Sequence, residues 1–566
     1  MISTLIQKFQ HRFQNGTQWL ETQQTSILSA AAIITASVLL SSLTGLLNYR
    51  LLASTFYDPS IKVQRQLDAY WVAFQPSDLV FQLLVIGALS AAFIPVFTKY
   101  KQKNEEDAFN ISSSIMNVVL LLFVVVSIFV MIFAEQIIRA MTGVQFTADQ
   151  VSLAANMTRI MLISQFFFAV SNFLSGMIQS YQRFVIPAIS PVMYNIGIIF
   201  GTVVLSKYFG IYGPVYGTLI GAFLHMALQL PLSWRLGFRY RPIIMWKHEG
   251  VQEIFRLTIP RAIGTAVDLI GPYFVTFFVT SIPGASLTVM RFAQRLMSIP
   301  IRIFGVPIGQ AALPFLSQES GKGDQDRFRR LLVQSMHQVS FFALPASVLL
   351  LVLRIPIVRF AFGAKNFPWG DTVLTGKIVA LLAISVAAQS VTHVMVRGLY
   401  ALHDTKGPFA VSLLTMMFNV GLSWYITYFT AYSLLGLAAV VSLTAWLEAV
   451  VLFGILHGRV HFGMREVIVP QFKMMFASVL MAAGLYFPLK ALDISVIDTT
   501  HTLGLLVLTG VVSVIGMGAY LLFVWLMKLE ELRIVTQMWG RMSGWKTNLA
   551  KSGEAIETVS AEATVD

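Results

Sequence analysis

The sequence predicts an all-α polytopic membrane protein of about fourteen spanning helices, and three observations carry that expectation. The chain of 566 residues is 56% hydrophobic and only 12% charged, about half the charged share of a soluble domain. Apolar runs of about 20 residues, each long enough to cross a hydrocarbon core of roughly 30 Å, recur from end to end. The runs are also continuous, whereas strands of a membrane β-barrel alternate apolar and polar residues over segments of about 10.

Residues 1–25 precede the first run. They place Ile2, Leu5, Ile6, Phe9 and Phe13 at helical spacing with Lys8 and Arg12 between, the pattern of an amphipathic helix lying in the membrane interface. They lack the apolar core of a signal peptide, so the first span is expected to direct insertion itself. The spans are expected near 28–54, 68–97, 109–134, 152–180, 186–207, 211–235, 254–280, 286–317, 330–352, 373–401, 408–430, 433–456, 468–490 and 503–527. After them the tail 531–566 ends in "SGEAIETVSAEATVD", a small, acidic, aperiodic stretch expected to remain unfolded in the cytoplasm.

An even number of spans puts both termini on one side. Loops following the even-numbered spans, together with the termini, collect about 22 Lys and Arg against about eight on the other side. That side is therefore expected to be cytoplasmic. The net charge of +13 expresses this orientation signal and does not call for nucleic acid. Cysteine is absent, which removes disulfides, thiolate metal sites and cysteine nucleophiles. His225, His393 and Lys377 fall within spans, but no pair has metal-ligand spacing. The Gly-rich stretches match neither a Walker nor a dinucleotide pattern. No catalysis, metal or organic cofactor is expected.

An internal repeat runs through the chain. "AAFIPVFTKY" closes the second span and "AALPFLSQES" the eighth. "GMIQSYQRFVIPAISPVMYN" joins spans four and five, and "RGLYALHDTKGPFAVSLLTMMFN" joins ten and eleven. Pro95 with Pro314, Gly176 with Gly398, Pro187 with Pro408 and Asn195 with Asn419 keep a steady offset of about 220 residues. Six spans fill each copy, and because six is even the copies insert in the same orientation, as in parallel-repeat transporters. The expected division is an N-lobe over 26–250, a C-lobe over 251–466 and two further helices over 467–530. Those two helices suit a lipid-facing surface, a dimer surface or a groove for a lipid tail.

Candidate site residues come from charge inside the spans. The stretch "MRFAQRLMSIPIRIFGVPIGQAALPFLSQ" carries Arg291, Arg295 and Arg302. On a regular helix Arg295 lies about 40° from Arg291 and Arg302 about 20° from it, so the three share a stripe unless Pro300 kinks the helix. Arg291 lies near enough to the outer surface to snorkel, and Arg302 near the inner one. Arg295 lies about 15 Å from the outer end, where insertion costs at least about 2.5 kcal/mol. It is expected to face a wet cavity or a counter-ion. Asp268, about 18 Å from the outer end of the seventh span, is the candidate partner, either as a structural pair or as a carboxylate that yields the guanidinium to a phosphate. Asp78 and Glu448 are further intramembrane acids, readable as proton or cation sites or as local hydrogen-bond partners.

Taken as a set, "LDAYWVAF", "GALSAAFIPVFTKYK", "RFVIPAISPVMYNI", "QRLMSIPIRIFGVPIGQAALPFLSQ" and "RGLYALHDTKGPF" resemble the MurJ/MviN family of lipid II flippases, within the multidrug/oligosaccharidyl-lipid/polysaccharide exporter superfamily. The likeness runs from about residue 28 to 527. It implies two six-helix lobes, two C-terminal helices forming a lipid-tail groove, a bacterial inner-membrane location, and transfer of a polyprenyl-pyrophosphate-linked peptidoglycan precursor to the outer leaflet. Arg295 in "QRLMSIP" matches the family's cavity arginine, and Asp68 in "LDAYWVAF" its acidic residue at the outer start of the second span. Ser42, Asn48 and Phe81 stand where the family carries arginines, and Tyr49 where it carries an acid.

The leading expectation is thus a lipid II flippase working by alternating access, in which Arg295 attracts the pyrophosphate, helped by Arg291 and Arg302, Asp268 or Asp68 is a competing anion or gate, and Asp78 is a further substrate-binding candidate. An ion gradient or the membrane potential would reset the cycle, and membrane lipids and cell-wall synthesis proteins are the expected partners. The rivals are a flippase for another polyprenyl-linked oligosaccharide, a drug or cation exporter of the same superfamily, and a degenerate flippase acting as a cell-wall scaffold.

Overall fold

The computed structural model describes residues 27–58, 65–86, 93–284, 287–363, 366–495 and 502–532. The amphipathic segment 1–25 and the tail beyond residue 532 lie outside them. Among the described residues there is no β-strand.

The order of helices follows the hydropathy, with local departures. Helix α1 (Ile27–Phe56) is the first span. The second is divided: α2 (Arg65–Phe81) runs into a π-helical turn, Gln82–Ile86, and the chain continues as α3 (Ile94–Lys101). Helix α4 (Glu105–Ile132) starts at Asn104, whose side-chain oxygen accepts the Glu106 amide at 3.0 Å, and three acids fill its first turn. Both features satisfy orphan amides and the positive helix end. A short helix, α5 (Ala134–Met141), follows. Helix α6 (Ala148–Ser180) opens with a reciprocal capping box between Thr147 and Gln150. Then come α7 (Val185–Phe200), a π-helical turn Gly201–Leu205, α8 (Ser206–Phe209), α9 (Tyr212–Ala227) and α10 (Leu230–Arg235).

The second half repeats the scheme. Helix α11 (Glu249–Val279) precedes α12 (Leu287–Pro300), which passes through a π-helical turn, Ile301–Gly305, into α13 (Val306–Lys322). Helices α14 (Gln325–Val352), α15 (Arg354–Phe362), α16 (Trp369–Ala401), α17 (Lys406–Phe429) and α18 (Ser433–Val460) complete the copy. Helices α19 (Met464–Ser495) and α20 (Thr502–Leu526) stand outside it. Twelve helical stretches among the described residues are long and apolar enough to cross a membrane. The other two expected spans, 68–97 and 254–280, fall on α2–α3 and α11, where residues 87–92 and several α11 side chains lie outside the described ones.

Two features invisible to hydropathy keep the repeat offset. The π-helical turns at Gln82–Ile86 and Ile301–Gly305 begin 219 residues apart, and the short helices α5 and α15 begin 220 apart. A π-helical turn is rare and local, so its recurrence at that spacing marks a duplicated backbone.

The chain forms two compact units. The first comprises Met1–Ile299, Ile355–Leu382 and Lys406–Glu448. Its core is aromatic and aliphatic, with Phe93, Phe97, Phe123 and Phe173 fully buried against Ile111 and Ile115. Helices α7 and α9 touch through backbone: a Cβ on Gly217 would meet the Gly197 carbonyl oxygen at 2.7 Å. Small residues of this kind let membrane helices approach closely. His225 sits in a buried polar network beside α6, its Nδ1 2.6 Å from Ser171 Oγ, which also receives Gln229 Nε2 at 2.7 Å. That environment makes it a packed core histidine.

The second unit comprises Pro300–Arg354, Ala383–Thr405 and Ala449–Asp566. Helix α14 is its centre, packed on α13 and α19, with α19 paired to α20. Phe304 stacks on Phe342 with ring centroids 5.1 Å apart, and Tyr520 donates to the Phe341 carbonyl at 2.9 Å. Beyond α20, Glu531 Oε1 lies 3.1 Å from His337 Nδ1, tying the chain back to α14.

Candidate functional site

The site lies in the first unit, on α12 and the helices around it. Helix α12 is amphipathic, "LTVMRFAQRLMSIP". Its apolar face holds Phe292, fully buried and stacked on Phe362 of α15 with centroids 4.3 Å apart. With that face committed, Arg291 and Arg295 are turned toward α11 and α1.

Asp68 sets where α12 begins. One carboxylate oxygen accepts both the Thr288 amide, at 2.8 Å, and the Thr288 hydroxyl, at 2.6 Å. Thr288 is the second residue of the helix, whose amide has no partner within it. Asp68, only 2% exposed, is therefore a helix cap supplied from 220 residues away. It positions the arginine helix.

Arg291 does not snorkel. Its Nη2 donates to Thr276 Oγ1 of α11 at 3.1 Å. The same oxygen receives Gln75 Nε2 at 2.6 Å, and the Tyr273 hydroxyl donates to the Gln75 carbonyl at 3.2 Å. Arg291 also interacts electrostatically with Asp78, a half-buried carboxylate whose Oδ2 receives Gln82 Nε2 at 2.5 Å. Gln82 thus opens the π-helical turn and holds an acid.

Arg295 lies one turn further on. Its guanidinium carbon stands 5.4 Å from the centroid of the Tyr49 ring, a cation–π arrangement. Tyr49 in turn stacks on Trp71 at 4.8 Å. The guanidinium reaches this place because α1 has glycine at position 45: a Cβ there would collide with Arg295 Nη2. Arg295 Nε is buried without a hydrogen-bond partner among the described residues. Ser41, Gly45 and Tyr49 recur every fourth residue and share one face of α1. Ser41 receives Asn195 of α7 at 3.3 Å. That spacing was the available sequence signal for a face turned toward the arginine, and residue identity alone did not reveal it.

Arg302 occupies the π-helical turn, is exposed, and belongs to the second unit. The regular 100° step that put it on a common stripe stops at Pro300, where the ring removes an amide donor and the next turn widens. Asp268, the expected counter-ion of Arg295, stands on α11, but its side chain lies outside the described residues. The structure therefore brings together Arg291, Arg295, Asp68 and Asp78 on adjoining helices and adds Gly45, Tyr49, Gln75, Tyr273 and Thr276. Among the described residues no group of three His, Asp or Glu is arranged to hold a metal.

Two guanidiniums amid hydroxyls and amides, on a helix crossing a membrane, fit bidentate capture of phosphate or carboxylate. A polytopic helical bundle with such a site defines a membrane transporter rather than an enzyme. The particular family follows from comparison: the profile of the family described as "Lipid II flippase MurJ" matches residues 63–536, and the chain belongs to that family. A probable lipid II flippase MurJ of Bdellovibrio bacteriovorus is 26% identical over 518 residues, covering 89% of this chain and 96% of the relative. The lipid II flippase MurJ of Burkholderia cenocepacia is 24% identical over 396 residues, covering 69% and 76%. Among solved structures, a lipid II flippase MurJ in an inward closed conformation superposes with a TM-score of 0.71 at 24% identity, over 88% of this chain and 98% of that one. An inward-facing MATE family multidrug resistance transporter of the MOP superfamily shares the fold at a TM-score of 0.61 and 14% identity, over 74% and 94%. The chain is accordingly a multi-pass protein of the bacterial inner membrane.

Proposed function

We propose that the chain carries lipid II, a polyprenyl-pyrophosphate-linked peptidoglycan precursor, from the inner to the outer leaflet by alternating access. Family membership supports the reaction. The observation that carries the site is Arg295, a guanidinium resting on Tyr49 with a buried Nε that lacks a partner among the described residues. A pyrophosphate entering beside it gains a planar, permanently charged fork and removes the cost of leaving an ionic group in low dielectric.

In this reading Arg291 and Arg295 hold the pyrophosphate, Asp78 competes with it for Arg291, and Asp68 fixes the start of α12. Arg302 and Asp268 are the further charged candidates for contact with the substrate. The N-lobe over 26–250 and the C-lobe over 251–466 exchange access, and helices over 467–530 offer a groove to the lipid tail. Both termini are cytoplasmic, as the basic loops favour. Resetting draws on the membrane potential or an ion gradient, and cell-wall synthesis proteins are the partners on either side of the step. Complementation of a flippase-depleted bacterium tests the reading: wild type restores growth, and Arg295→Ala at equal membrane abundance does not. Undiminished rescue by Arg295→Ala removes the proposed role of the site.

A further inference from the structure

Next to the arginine site is a cleft with no polar work to do. It has a volume of about 620 Å³ and is walled by the last turns of α11 and α17, with Met141 of α5 at one side. Ligand pockets of about 300–1,000 Å³ bury molecules of ordinary size. Its walls include Ile270, Phe277, Trp424 and Tyr428, and Trp424 and Tyr428 remain about half exposed. From residue 270 to 278 the α11 wall extends about 12 Å.

Tyr273 connects this cleft to the site. Its ring lines the cleft, while its hydroxyl donates to the Gln75 carbonyl, and Gln75 shares Thr276 with Arg291. Tyr273 thus borders both the hydrogen-bonded cluster around Arg291 and the apolar cleft. Gly421, in the middle of α17, is the second observation. A Cβ there would meet nothing within 4 Å, so no helix packing calls for glycine, unlike the backbone contact at Gly217. Glycine in a helix interior lowers helix stability, and here what its bareness provides is room in the cleft.

We propose that the cleft holds the first isoprene units of the lipid carrier while the pyrophosphate sits at Arg291 and Arg295. The occupant follows from the lipid-linked substrate proposed for the arginine site: hydrocarbon attached to that pyrophosphate must leave the charged side chains, and Tyr273 stands between them and an apolar cleft.

The test uses the full chain in nanodiscs. Binding of lipid II is compared with binding of the same pyrophosphate-linked head group lacking its prenyl chain. Gly421→Trp, which fills the cleft, weakens lipid II binding about tenfold and leaves head-group binding unchanged. Gly421→Ala, too small to fill it, binds both like wild type. Arg295→Ala weakens both ligands. A diazirine on the second isoprene unit crosslinks to residues within 270–278 or 420–428, and unlabelled lipid II competes. Unchanged lipid II binding by Gly421→Trp overturns the cleft assignment and leaves the arginine site standing. Full binding of the bare head group by Arg295→Ala overturns the site itself. Crosslinking of a phospholipid acyl chain there, undisplaced by lipid II, assigns the cleft to bulk lipid and refutes the proposal.

Discussion

Replacing Asp68 separates a structural brace from a substrate-binding charge. In Asp68→Ala the Thr288 amide and hydroxyl both lose the oxygen they share at 2.8 and 2.6 Å. Loss of a helix N-cap costs about 1 kcal/mol and up to about 2, and loss of a negative charge at a helix N-terminus adds about 0.3–1 kcal/mol. Buried donors left without an acceptor carry a penalty of roughly 1–3 kcal/mol. The cap and the orphaned donors are the same bonds seen from two ends, so the total expected is about 2–4 kcal/mol. Asp68→Asn keeps a carbonyl oxygen in place and loses chiefly the charge contribution, about 1 kcal/mol. Thermal unfolding of purified protein, followed by tryptophan fluorescence, should therefore rank wild type above Asn and Asn above Ala. Growth rescue, normalised to folded protein, should be near wild type for Asn. An Asn variant as stable as wild type but unable to rescue growth would refute the cap and return Asp68 to the substrate path.

Other substitutions probe the same framework. Gly45→Leu drives the Arg295 guanidinium off Tyr49, forfeiting a cation–π contact of about 0.5–2 kcal/mol. Affinity for a pyrophosphate analogue, measured by calorimetry, should fall about 2- to 30-fold with the protein still folded. Gly217→Leu has no comparable escape, because its side chain meets the Gly197 carbonyl rather than a flexible tip. It should abolish folded protein, measured by size-exclusion recovery, whereas Gly421→Leu should not. At the C-terminal end, burial works to raise the Glu531 carboxyl, but the His337 hydrogen bond and the nearby charges of His337 and Lys473 hold it below its ordinary value. A depressed carboxyl stabilises docking above its ordinary range and loses that contribution as pH falls through the folded value. Hydrogen-exchange protection at 527–532, corrected for the intrinsic exchange rate at each pH, should therefore fall between pH 7 and pH 3, and Glu531→Gln should flatten that fall.

Local chemistry carried much of the fold. A spanning helix satisfies its own backbone hydrogen bonds and needs only apolar length, so composition and hydropathy indicated the order of helices without any knowledge of their neighbours. The repeat was equally legible, because four Gly, Pro and Asn positions keep a constant offset whatever they touch. The cost of charge in lipid singled out Arg295 for the same reason: depth along one helix is a one-dimensional quantity.

What the sequence withheld depends on residues far apart in the chain. That Asp68 caps a helix could not be read locally, because Thr288, whose amide and hydroxyl it accepts, lies 220 residues on. Tyr49 read as a missing family acid until its ring was found beneath Arg295. Pro300 warned of a kink, but only the backbone showed that a π-helical turn follows it and carries Arg302. The cleft beside Tyr273 needs two helices about 150 residues apart, and Gly421 acquires meaning only when the space around it is known to be empty. By itself the sequence determined which segments enter the membrane and which charges must be accommodated there, since both are set by transfer from water to lipid. The tertiary structure decided which oxygen, ring or bare glycine each charge would meet, since those contacts exist only after distant segments have packed.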